Sequence, residues 1–230
     1  MKKVIHFIFI ALIRLQRKYN VYILNKQPQI EKNVIYAVNH FCKDDFPITC
    51  EVAGRHTYVL VGKQHLRLLD KICFRLNGVI YVDRKDNQSK SMARKRIKKY
   101  LQKGCNICIF PEGTWNLTPS KPMLPLYWGL VEIARETGIP IIPLVLEYRE
   151  HNCYAKWGEP VRVALEDDKQ DKIYELSDKM ATLKWDIWQM FPMALRENIK
   201  EDEWVQEIEK RLAEYPHFDY EYERGCVLEV

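Results

Sequence analysis

Five short apolar runs, at residues 34–39, 58–61, 79–82, 106–110 and 141–146, alternate with longer stretches of helical character. This alternation leaves few architectures open to the chain. Each run is Val- and Ile-rich and too short for a buried helix, so it reads as a strand with both faces covered. The intervening segments suit helices from about Asp45, near 67–74, over 85–103 and over 129–137. Strands separated by helices imply crossover connections. The expected fold is therefore α/β: a mixed, mostly parallel sheet flanked by helices. In such a sheet the loops leaving the strand C-termini gather along one edge, where chemistry is done.

Composition agrees with one folded unit: 230 residues, 47% hydrophobic and only 9 Gly, enough to bury a full core. Three regions are expected. Residues 1–30 form an N-terminal membrane-interfacial helical segment, 31–165 the α/β core, and 166–230 a helical C-terminal extension of the same domain. The first region opens with Lys2 and Lys3, an apolar run from Val4 to Ile13 broken by His6, and then Arg14, Arg17 and Lys18. That run is too short to span a bilayer and lacks a small-residue cleavage site, so a retained amphipathic helix lying on anionic headgroups is expected. A helix packed on the domain is the alternative. In the last region Trp185, Trp188, Met190 and Phe191 suggest a packed or membrane-near apolar stripe.

Charge is unevenly placed. Residues 1–110 hold 22 Lys and Arg against 7 Asp and Glu, whereas residues 111–230 hold 14 against 24. One face is thus expected to approach an anionic surface or ligand. The basic segment 85–103, with Lys90, Arg94, Lys95, Arg96, Lys98 and Lys99 around Ile97, Tyr100 and Leu101, reads as an amphipathic helix for phosphates or an acidic carrier, or simply as a solvated face. No nucleic-acid recognition motif accompanies it, and nucleic acid is not an expected partner. The seven cysteines are odd in number without paired metal-ligand spacing, so no metal is expected and the thiols are read as reduced. Cys105 and Cys108 lie in and beside a strand run, where alternation sends them to opposite faces.

Three of the runs lead into residues that carry chemistry: Asn39-His40-Phe41-Cys42-Lys43-Asp44-Asp45, Gly78-Val79-Ile80-Tyr81-Val82-Asp83-Arg84 and Phe110-Pro111-Glu112-Gly113-Thr114. An imidazole with an ordinary pKa of about 6.5 can take a hydroxyl proton at neutral pH, which makes His40 the candidate general base. If Asp45 begins a helix after a tight turn, its carboxylate can reach back to the other ring nitrogen. Asp44 has the wrong spacing unless the turn differs.

These stretches resemble the glycerophospholipid acyltransferase family, 1-acylglycerol-3-phosphate acyltransferases included, with four blocks in order over about 34–163. By that resemblance His40 and Asp45 fall on the catalytic H-x-x-x-x-D pair, Arg84 on the acceptor-phosphate arginine, and Glu112, Gly113 and Thr114 on the F-P-E-G block. Ile139-Pro140-Ile141-Ile142-Pro143-Leu144 looks like the fourth block, and Lys63 aligns with a lysine that often follows the second strand. The third block departs from the family, with Trp115 and Asn116 where arginine usually follows the threonine.

The resemblance implies an enzyme that moves an acyl chain from an acyl thioester, on coenzyme A or acyl carrier protein, to the hydroxyl of a phosphate-bearing lipid acceptor such as lysophosphatidate. It would act at the cytoplasmic side of an anionic membrane as a peripheral or monotopic protein, with no bound cofactor. Arg84 would hold the phosphate, Glu112 the acceptor hydroxyls, and Lys63 or backbone amides the oxyanion. Alternatives are a different polyol, sugar or lysolipid acceptor, a thioester hydrolase, and a non-catalytic peripheral membrane module.

Overall fold

The computed structural model describes residues 4, 7, 8, 11, 18–30, 32–62, 68–118, 121–192 and 200–215. Among them, seven strands form one sheet: β1 (Asn20–Ile23), β2 (Ile35–Val38), β3 (Thr57–Gly62), β4 (Val79–Val82), β5 (Asn106–Ile109), β6 (Ile141–Arg149) and β7 (Asn152–Trp157). Their order across the sheet is β1-β7-β6-β2-β5-β3-β4. Every neighbouring pair is parallel except β6 and β7. The connecting helices are α1 (Asp45–Ala53), α2 (Leu68–Asn77), α3 (Asn87–Gln102) and α4 (Gly129–Thr137), followed by α5 (Lys169–Met190) and α6 (Glu201–Glu214). A mostly parallel sheet with flanking helices is thus the fold.

Sequence chemistry explains the element limits. The Asp86 carboxylate accepts from the Gln88 amide at the start of α3, and Asp168 does the same for Gln170 and Asp171 at the start of α5. Helix α1 stops at Gly54, whose φ of 59° glycine adopts without the steric cost of a Cβ. The core lies on both faces of the sheet. On one face Ile35, Ile107, Ile141 and Val145 pack under Ile97, Leu130, Leu176 and Met180. On the other, Tyr36, Val38, Leu144 and Leu146 pack with Phe46, Ile48 and Trp157. Each fully buried aliphatic side chain stabilises the fold by about 1.5–3 kcal/mol.

One expectation is corrected, and one strand is added to those expected. Asn20–Ile23, inside the stretch 1–30 expected to be helical, is a strand that pairs with β7. Strand β7 itself was not anticipated, because it follows β6 through a tight turn at Glu150, whose φ is 50°. Residues 4, 7, 8 and 11 are helical, and Val4, Phe7 and Ile8 are exposed. Cys105 and Cys108 do pack on opposite faces. The aromatic stripe of α5 divides, with Trp185 and Met190 exposed while Phe191, just beyond the helix, stacks on Tyr154. Among the described residues no helix is long and apolar enough to cross a membrane.

Candidate active site

Strand β2 ends at Val38, and the next side chain anchors its exit. The Asn39 amide donates to the Leu146 carbonyl at 2.9 Å and accepts from the Leu146 N–H at 2.7 Å. His40 follows on the loop, and Asp45 opens α1 with its carboxylate turned back along the chain. Asp45 Oδ2 lies 2.7 Å from His40 Nδ1 and accepts the N–H groups of Phe41 at 2.6 Å and Cys42 at 2.8 Å. Its Oδ1 accepts the Tyr148 hydroxyl. A carboxylate with 0% exposure is kept in place by such donors. Asp44 makes no side-chain cap bond, and burial pushes its carboxyl up against the opposing Lys43 charge. Asp45, not Asp44, is the histidine's neighbour. With Nδ1 engaged, Nε2 is the ring nitrogen left for a reacting hydroxyl, on an imidazole whose side chain is 22% exposed. The ring stacks on Phe110 at 4.2 Å.

The loop after β5 holds the backbone of His40. Gly113, at φ 74°, closes a turn by donating its N–H to the Phe110 carbonyl at 3.0 Å. That turn aims Glu112 inward. Glu112 Oε1 accepts the His40 N–H at 2.9 Å and Oε2 the Leu124 N–H at 2.8 Å, while the Asn116 N–H donates to the His40 carbonyl at 2.6 Å. Both backbone polar groups of His40 are therefore fixed by residues more than seventy positions away. Burial pushes the Glu112 carboxyl up to about 7, against the lowering pull of the Leu124 amide, the Lys184 charge and the His40 amide.

Arg84 reaches the same edge from the end of β4: its Nη1 would stand 3.5 Å from a Cβ added to Gly113. Thr114 hydrogen-bonds the Tyr215 hydroxyl, and Trp115, 4% exposed, meets the Tyr215 ring edge-on at 5.2 Å. The end of α6 closes over these loops, with Arg211 over the Phe41 ring at 4.4 Å and Glu214 paired with Lys43 at 3.0 Å.

His40, Asp45, Arg84, Glu112, Gly113 and Thr114 thus converge at the C-terminal edge of the sheet. Lys63 lies outside the described residues. Among the described residues no cluster of three or more His, Cys, Asp or Glu side chains is arranged to hold a metal ion. Sequence reasoning named Asn116 only as a departure from the third block, and it missed Tyr148 and Lys184. Tyr148 lies four residues beyond the fourth block and Asn116 two beyond the third, which was a usable signal. Lys184 carried none, because only the packing of α5 brings it to Glu147 at 3.5 Å and toward Glu112.

The Acyltransferase family model matches residues 18–147. The chain is 30% identical over 128 residues to a 1-acyl-sn-glycerol-3-phosphate acyltransferase of Borreliella burgdorferi, covering 55% of this chain and 50% of that protein. It is 32% identical over 120 residues to one of Cocos nucifera, covering 49% of this chain and 36% of that protein. The chain spans half or less of the length of these curated relatives. Its fold is similar to the crystal structure of the 1-acyl-sn-glycerophosphate (LPA) acyltransferase PlsC of Thermotoga maritima. There the TM-score is 0.63 at 16% identity, over 84% of this chain and 80% of that one.

Proposed function

The chain belongs to the glycerophospholipid acyltransferase family, and from that premise we propose that it transfers an acyl group from an acyl thioester to the hydroxyl of a glycerophosphate-type acceptor such as lysophosphatidate. The observation that carries this reading is the 2.7 Å contact of His40 Nδ1 with buried Asp45, which leaves Nε2 as the base. Nε2 takes the acceptor's hydroxyl proton as its oxygen forms a bond to the thioester carbonyl carbon. The resulting oxyanion is stabilised by backbone N–H groups or Lys63, a well-aimed donor being worth about 3–4 kcal/mol. Collapse breaks the carbon–sulfur bond, and the departing thiolate recovers the proton from the imidazolium. Asp45 holds the tautomer and stabilises that imidazolium. Glu112 is occupied with backbone amides on both oxygens, so its first task is to hold the loop of His40; contact with an acceptor hydroxyl would use its remaining lone pairs.

Trp115 is packed against Tyr215, so the phosphate of the acceptor rests on Arg84 in this reading. The donor is acyl-coenzyme A or acyl carrier protein. The exposed Val4, Phe7 and Ile8, with the flanking lysines and arginines, would seat the protein peripherally on an anionic membrane at the cytoplasmic side. The test is to incubate purified protein with acyl-coenzyme A, and in parallel with acyl carrier protein bearing the same acyl chain, each alone and with lysophosphatidate, glycerol 3-phosphate and uncharged polyols, and to follow free thiol. Thiol release that requires a phosphate-bearing acceptor supports the proposal. Release without acceptor would make the protein a thioester hydrolase, and no release from either carrier would leave a membrane-binding module.

A further inference from the structure

Strand β6 runs past its parallel partner: Val38, the last residue of β2, pairs with Leu144, yet β6 continues to Arg149. The overhang places Tyr148 above the start of α1, and antiparallel pairing with Cys153 of β7 fixes its backbone. Its ring is held on two sides, stacked on Phe41 at 5.4 Å and edge-on to Tyr19 at 4.8 Å. Burial keeps the phenol well above its ordinary pKa, so it remains protonated and donates to the Asp45 carboxylate. The two oxygens of Asp45 are served differently. Oδ2 meets His40 and two backbone amides, while Oδ1 has the Tyr148 hydroxyl and a distant Cys42 thiol at 3.7 Å. Without the phenol, a carboxylate oxygen in a fully buried side chain would keep only that weak donor.

We propose that Tyr148 is a positioning residue for the His40–Asp45 pair, fixing the rotation of the Asp45 carboxylate so that Oδ2 stays aimed at Nδ1. This deepens the acyl-transfer reading and rests on His40 as its base. The other groups around the carboxylate do not replace the phenol. Asp44, Glu112 and the Cys108 and Cys153 thiols make no hydrogen bond to it, and Arg211 is engaged over the Phe41 ring and with the Tyr19 side chain.

The test compares the unsubstituted protein with Tyr148→Phe, which keeps every ring carbon and both ring contacts, and with Tyr22→Phe, which removes an exposed phenol stacked on Tyr154, outside the cluster around Asp45. Two quantities are read: acyl-transfer kcat with both KM values, and the proton NMR resonance of the His40 ring N–H, assigned by its loss in His40→Ala. Tyr148→Phe is expected to lower kcat about tenfold with both KM values held, as suits a lost bond to a charged group, and to shift or broaden the resonance. Tyr22→Phe should leave both unchanged. A resonance that stays in place in Tyr148→Phe, or one that shifts while kcat remains that of the unsubstituted protein, overturns the proposal. A shifted resonance in a protein that transfers no acyl group to any acceptor would sustain the Tyr148 contact and reject the acyl-transfer reading instead.

Discussion

At the residue scale, the pair at the centre of the site was legible because His40 and Asp45 are only five positions apart, and a turn into a helix converts that spacing into contact. The role of Glu112 was not legible. Its partners are the amides of His40, 72 positions away, and Leu124, and backbone amides leave no trace in side-chain chemistry. The same holds for Tyr148, whose link to Asp45 spans 103 positions. Gly113 shows how tightly the loop is specified. A Cβ there would stand 2.6 Å from the Tyr127 ring, at a φ of 74° that side chains other than glycine rarely adopt. Gly113→Ala should therefore destabilise the protein by roughly 1–3 kcal/mol in denaturant unfolding, and a neutral result would show that the loop relaxes freely. Arg84→Ala should raise the KM for a phosphate-bearing acceptor more than that for the donor; equal changes would argue against a phosphate role.

At the element scale, the strands that carry site residues stood out because buried parallel strands are continuously apolar. Ile35–Val38 and Asn106–Ile109 are buried at every position. Edge strand β1 was missed for the converse reason, as most of its residues are exposed and its run is only four long. Helix α6 was expected as helix but not as a cover for the site, since its docking depends on single side chains at its end. Tyr215 meets buried Thr114 and Trp115, whereas Glu214 pairs with Lys43, which is 48% exposed, and with Lys18, which is 60% exposed. Exposed ion pairs are worth about 0–1 kcal/mol. In hydrogen exchange, Tyr215→Ala should thus speed exchange of the α6 amides more than Glu214→Ala does. The reverse order would assign the docking to charge.

At the scale of the whole molecule, the opposed charges of the two halves meet in part within the fold. Arg94 of the basic helix α3 bridges Glu132 and Glu136 of α4, and Lys98 also reaches Glu136 at 3.2 Å. The sequence shows the polarity but not this internal pairing, because strand order decides which helices become neighbours. Stability should also respond to pH through Glu112. Its carboxyl is raised from 4.5 to about 7 in the folded protein, so between those values the folded state binds more protons than the unfolded chain. The Glu112 contribution is fully present below about 4.5 and is lost as pH rises to about 7, a loss of roughly 3 kcal/mol. Glu112→Gln should flatten that part of the stability profile, and an unchanged slope would place the dependence elsewhere. The most direct test of the account is single-turnover acyl transfer from acyl-coenzyme A to lysophosphatidate by the unsubstituted protein and by His40→Ala. With His40 as the base, the variant is slower by at least about a hundredfold, whereas transfer at nearly the original rate would contradict it.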